Sequence, residues 1–265
     1  MRVGGSLGMC LVASAPGCRL HFDPLATDDG GAAMGDGSLT TRTPDPAVLY
    51  LFDQGAGDTV RDRILAPLDL QIEDPAAATW FEGGLRFDVP NRMTHLSLAS
   101  KIVTPCLASG EITIEAWVKT PHAMQPGTTG PFRIVALSFD AIDANFMLGQ
   151  EVGGLYFRLR TTTGGTDGEP GFVMPFMATT TPLHVVMVHA KDGTELLYLN
   201  NQLAALNTRS GAMTNWDGSY KLVMGNERVD DRPWLGDFHL VAIYPRALTA
   251  DEIDANFTAG PDPEL

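Results

Sequence analysis

The chain has 265 residues, 44% of them hydrophobic and 19% charged, and its 18 Lys and Arg against 32 Asp and Glu give a formal net charge of −14. A surface this acidic repels phosphate, which excludes nucleic acid as a partner and charge-driven binding to an anionic membrane face. A chain of this length buries roughly 70–75% of its unfolded surface and needs neither metal nor disulfides merely to fold.

Three cysteines, Cys10, Cys18 and Cys106, form neither a disulfide framework nor a zinc spacing. Residues 1–18 carry one early positive charge, a short weakly apolar stretch and small residues at the end, the outline of an export leader. Ala15-Pro16-Gly17-Cys18 resembles a bacterial lipoprotein box, in which Cys18 would carry the lipid. Ala15 and Pro16 depart from that box, so ordinary export and a plain irregular leader stay open beside it. No later stretch reaches the roughly 18 apolar residues of a spanning helix. With Cys10 removed and Cys18 lipidated, Cys106 is left as a buried, inert thiol. Residues 19–46 are rich in Asp, Gly, Thr and Pro and read as a solvated linker.

From residue 47 the pattern changes to short apolar runs. Strands are expected at 47–52, 85–89, 96–98, 111–119, 132–139, 145–148, 155–161, 183–190, 195–199, 220–224 and 236–244. Turn chemistry separates them, as in Lys191-Asp192-Gly193 and Asn200-Asn201. Many short strands with turns and no intervening helices indicate an all-β sandwich of two antiparallel sheets. Within 112–117, a period of two puts Ile112, Ile114 and Ala116 on one face. In 183–189, Leu183, Val185, Met187 and His189 share one face, and His184, Val186 and Val188 the other. Thr249-Ala250-Asp251-Glu252 is a capping box that opens one short C-terminal helix ending near Gly260. The expected organisation is a leader over 1–18, a linker over 19–46, one β domain over 47–260 and a tail over 261–265.

Several landmarks fall in a familiar order: Asp53-Gln54-Gly55-Ala56-Gly57-Asp58 with Asp62, the strand ending in Trp117, the hairpin around Asp192-Gly193 with Tyr198, and Tyr244-Pro245-Arg246-Ala247-Leu248 before the capping box. This series resembles the laminin G-like family of concanavalin A-type jelly rolls, in its bacterial form. The resemblance implies a jelly-roll sandwich and a module that binds a glycan or a protein at the cell surface.

It also directs attention to three places. Glucanases of the same broad fold carry Glu-x-Asp-x-Glu on one strand face, and Glu111-Ile112-Thr113-Ile114-Glu115 is similar, with Thr113 in place of the middle carboxylate. Without that charge the two glutamates lack the means to separate their pKa values, and they are expected to be solvated rather than catalytic. Relatives often hold a structural calcium, which the resemblance would place at Asp53 and Asp62. Gln54 and His239 stand where the family tends to have acidic residues, so a lost site stays open as the other reading. The loop from Asn226 to Trp234, with Asp230 and Asp231, offers planar hydrogen-bonding groups and a ring of the kind that holds a sugar. Against that, Trp234 could equally pack under the rim, and Trp80 and Trp216 are further rings of the same kind. The six histidines show no metal spacing, and His184 and His189 lie on opposite strand faces.

The expected function is therefore a non-catalytic, exported binding module, free or lipid-anchored, for a glycan or a cell-surface protein. A glycoside hydrolase or lyase, and an envelope protein without ligand, are the alternatives.

Overall fold

The computed structural model describes residues 42–122, 125, 130–152, 154–175, 180–229 and 231–261. The leader, Cys18, the linker up to residue 41, Asp230 and residues 262–265 lie outside the described residues.

In chain order the strands are β1 (Val48–Tyr50), β2 (Thr59–Val60), β3 (Leu70–Ile72), β4 (Ala78–Phe81), β5 (Gly84–Phe87) and β6 (Met93–Thr94). A helix, α1 (Ser100–Ser109), precedes β7 (Ile112–Lys119), β8 (Phe132–Ser138), β9 (Ala144–Glu151), β10 (Gly154–Leu159) and β11 (Phe172–Pro175). Then come β12 (Leu183–His189), β13 (Thr194–Leu199), β14 (Gln202–Thr208), β15 (Lys221–Met224), β16 (Gly236–Tyr244) and α2 (Ala250–Ala259).

The strands make two eight-stranded antiparallel sheets. One runs β14-β13-β12-β7-β16-β5-β4, with β1 also paired to β16. The other runs β11-β10-β9-β8-β15-β6-β3-β2. The fold is the expected two-sheet sandwich with a short C-terminal helix.

The alternation read in the sequence decides the layers. Ile112, Ile114 and Ala116 on β7 and Leu183, Val185 and Met187 on β12 enter the core between the sheets, where Phe146, Leu148 and Phe157 of the second sheet meet them. The opposite face of β7 and β12 is also covered. Trp117, Val186 and Val188 form a second apolar cluster with Tyr244, Leu248 and Ile253, so α2 closes the outside of the first sheet. Trp117 stacks on His184 at 4.7 Å and on Phe257 of α2 at 5.7 Å between ring centroids. Thr249 caps α2 as the sequence indicates, with the reciprocal Glu252 bond present.

Three expectations are corrected. The strand at 96–98 is absent: Leu96 and Leu98 are exposed, and α1 follows. Helix α1 buries Ile102, Val103 and Cys106 on one face and ends at Gly110, whose φ of 73° suits a residue without Cβ. It carries an internal proline, Pro105. The domain also begins earlier than residue 47, since Arg42 and Thr43 are 5% and 6% exposed and bonded into the fold. Finally, Glu115 is not solvated; its exposure is 0%.

Candidate functional site

Alternation does put Glu111, Thr113 and Glu115 on one side of β7, but that side lies under the chain after β16. Glu111 accepts from Ala247 N at 3.0 Å, and Thr113 exchanges hydrogen bonds with Arg246 O and Leu248 N. Glu115 is the centre of a closed network. One carboxylate oxygen accepts from Arg42 and from His184 Nε2 at 3.0 Å, and the other from Asn256 Nδ2 at 2.7 Å and the Tyr244 hydroxyl at 3.4 Å. Burial alone would raise the Glu115 pKa, but Arg42 and His184 outweigh it and hold the group at about 2. A carboxylate so buried, paired and depressed is neither open to substrate nor suited to proton transfer near neutral pH.

The calcium ligands do not fit either. Asp62 is 7% exposed and accepts from Leu49 N, Ile64 N and Leu68 N, each at 3.0 Å, and from Lys101 Nζ at 2.9 Å. Three N–H groups and an ammonium already occupy the directions from which a cation would be bound, and calcium needs six to eight oxygens. Asp53 is turned to Arg63 instead. His239 gives its Nδ1 to Gly83 O at 2.8 Å, and burial lowers its pKa. Among the described residues no cluster of three or more His, Cys, Asp or Glu could hold a metal ion.

The loop after β15 is the third place. Asn226 folds it: its Oδ1 accepts from Glu227 N and Arg232 N, and its Nδ2 donates to Asp231 Oδ1 at 2.8 Å. Glu227 anchors the loop to the sheet, bonding Arg133 at 3.2 Å and Ser138 at 2.7 Å. Trp234 is corrected from a sugar platform to a core residue. It is fully buried, meets Phe238 edge-on at 4.9 Å and donates its Nε1 to Gln150 Oε1 at 2.9 Å, so neither face of its ring is free. Trp216 is likewise buried, with its Nε1 on Arg160 O. Trp80 is half-buried and donates to Gly57 O.

What the loop does expose is a groove beside β3 and β6. Two adjoining cavities, about 290 and 340 Å³, share Glu73, Arg92 and Arg228 in their walls, and Asn226 and Asp231 line the second. Arg92 donates to Glu227 O at 3.1 Å and Arg228 O at 2.8 Å and pairs with Glu73, which fixes the main chain of the loop. The Arg228 guanidinium has no ion-pair partner among the described residues. Sequence reasoning found Asn226 and Asp231 here, in the loop that also carries Arg228, but missed Glu73 and Arg92, which only sheet pairing brings beside it.

With strand order, closed β7 face and rim loop in view, the comparisons can be placed. The family model described as the concanavalin A-like lectin/glucanases superfamily, a laminin G type, matches residues 94–254, more than half of the chain. The chain belongs to that superfamily. No curated protein matches it. Among solved structures it is similar to Trypanosoma rangeli sialidase in complex with sialic acid, with 17% identity and a TM-score of 0.54, over 80% of this chain and 32% of that one. It is also similar to the botulinum neurotoxin serotype D binding domain, with 10% identity and a TM-score of 0.56, over 80% of this chain and 51% of that one. The superfamily member thus spans a third to a half of the length of these structures, and at such identities the likeness is one of fold.

Proposed function

We propose that the protein is an exported, non-catalytic binding module that recognises a carbohydrate or a protein partner, either free or held at a membrane by a lipid on Cys18. The observation that carries this reading is a contrast between two sites. Of the carboxylate pair that a glucanase mechanism would use, Glu115 is shut under α2 and Glu111 is taken up by Ala247 N, while the groove at Arg92 and Arg228 is open and lined by planar groups. Guanidinium forks and carboxylates at a rim bind polar partners by directed hydrogen bonds without any reacting group. A hydrolase needs two carboxyl groups facing one cleft, roughly 5–9 Å apart, and Glu111 and Glu115 do not share one.

The test is a glycan array with the full chain, run beside hydrolysis assays on β-glucans. The module reading expects retention of at least one glycan class, at least tenfold weaker in Arg228→Glu, and no turnover. Turnover on any glucan would replace the module by an enzyme. Retention unaffected by Arg228→Glu would move the site away from this groove.

A further inference from the structure

The end of the sandwich away from Arg228 carries a second pair of cavities. It is built by the α1–β7 junction, the β12–β13 turn, the loop after β10 and the segment after β14. One cavity of about 290 Å³ is walled by Ser109, His189, Lys191 and Thr214. The other, of about 460 Å³, is walled by Thr161, Thr163, Asn207, Thr208, Arg209 and Ser210. Both fall near or within the range of about 300–1,000 Å³ usual for small-ligand sites. The chain from Ser210 to Gly211 is the ridge between them, Ser210 lining one and Gly211 the other. This ridge is pressed onto the β10 loop. A Cβ on Gly211 would lie 2.8 Å from Thr163 Oγ1 and 2.9 Å from Thr162 Oγ1, and its φ is +84°.

A single buried carboxylate organises both walls. Glu195 is 0% exposed, accepts from Arg209 Nε and from Asn207 Nδ2 at 2.7 Å, and stands 3.6 Å from His189 Nδ1. Asn207 and Arg209 face one cavity and His189 the other. Arg209 also donates to Gly168 O at 3.2 Å and Pro170 O at 2.9 Å, which fixes the loop beyond the ridge. The His189 side chain is only 3% exposed, and its Nδ1 makes no hydrogen bond.

We propose that this end of the domain is a binding site for a neutral oligosaccharide that crosses the ridge at Ser210–Gly211, with one sugar unit in each cavity. The chemistry of the walls selects that class. Hydroxyls of Thr163, Thr208, Ser210 and Thr214 and the Asn207 amide are matched donors and acceptors for sugar hydroxyls. The buried charges cancel, since Arg209 is bound to Glu195. An anionic ligand would meet the carbonyl end of α1, and a cationic one would meet Lys191. The proposal rests on the carbohydrate arm of the function above, but not on the Arg228 groove.

The experiment titrates the full chain with neutral gluco-, manno-, xylo- and galacto-oligosaccharides, with oligogalacturonate and chitosan oligomers as charged controls. Ser210→Leu and Thr214→Leu each fill one cavity mouth from an exposed position, and thermal melting checks that both variants fold. The expected result is binding of a neutral series that weakens at least tenfold in each variant. Neutral binding that survives both variants but is lost in Arg228→Glu overturns this site and keeps the module. Binding of the charged oligomers alone overturns it too. If no saccharide binds, this site is refuted, and the module reading then stands or falls on a protein partner at Arg228.

Discussion

Arg42 and Glu115 form a buried ion pair, at 2% and 0% side-chain exposure. Removing one member of such a pair strands the other charge, which costs about 3–5 kcal/mol. Arg42→Met should therefore lower unfolding stability by that order in urea titration. The double variant Arg42→Met, Glu115→Leu should recover much of the loss, which separates a stranded charge from lost packing. The same carboxylate sets a pH dependence. Its folded pKa of about 2 lies below the ordinary 4.5, so its contribution is full above pH 4.5 and is lost as pH falls towards 2. The amplitude is on the order of 3 kcal/mol. Glu115→Gln should flatten that part of the acid-unfolding profile; an unchanged profile would assign acid lability to other groups. None of this was legible from spacing. The strand periodicity located Glu115 on the correct face of β7, but whether that face meets water or α2 is decided by residues more than a hundred positions away. Cys106 shows the opposite case. It was expected to be inert, and burial at 0% exposure pushes its thiol to about 12.

Among the elements, α2 was readable because its signal is local. Thr249 and Glu252 bond reciprocally across the first turn, and Arg246 binds Glu252 at 2.7 and 2.9 Å. Thr249→Ala should cost about 1 kcal/mol. The measurement is thermal unfolding together with amide exchange at Ile253 and Asn256, and exchange there should accelerate before global unfolding, because α2 forms the lid over Glu115. Helix α1 has no side-chain cap at its start and carries Pro105 at its sixth position. It survives because tertiary burial of Ile102, Val103 and Cys106 outweighs the loss of one hydrogen bond. The strands β4 and β14 escaped notice as well. Their burial is partial or absent, so their side chains carry no clean alternation, and backbone pairing to β5 and β13 is what makes them strands.

For the whole molecule, two expectations concern what the domain needs in order to stand. Calcium should not stabilise it, because Asp62 is committed to N–H donors and Lys101. A ligand at a hundredfold excess over Kd adds about 2.7 kcal/mol, which is several degrees in Tm for a chain of this size. Melting with calcium and with chelator should therefore coincide, and a separation of that order would locate a cation elsewhere in the chain. Limited proteolysis should leave a resistant core that retains Arg42, contrary to a boundary at residue 47. Cleavage between residues 42 and 47 without loss of stability would show that the clasp onto Glu115 is dispensable.

The sequence alone determined the class and the layering of this protein. Turn residues and the two-residue period are properties of neighbouring positions, and they suffice to say that β7 and β12 are strands, that both of their faces are apolar, and that a capped helix closes the chain. Charge balance, also additive along the chain, sets the expectation that nucleic acid is not a partner. Only the tertiary structure decided which side chains are available. Trp234 and Glu115 looked like site residues by type and are sealed inside, whereas Arg92 and Arg228 meet across a rim although 136 positions separate them. Availability depends on what packs over a residue, and in a sandwich whose neighbouring strands are distant in sequence no local pattern encodes the cover.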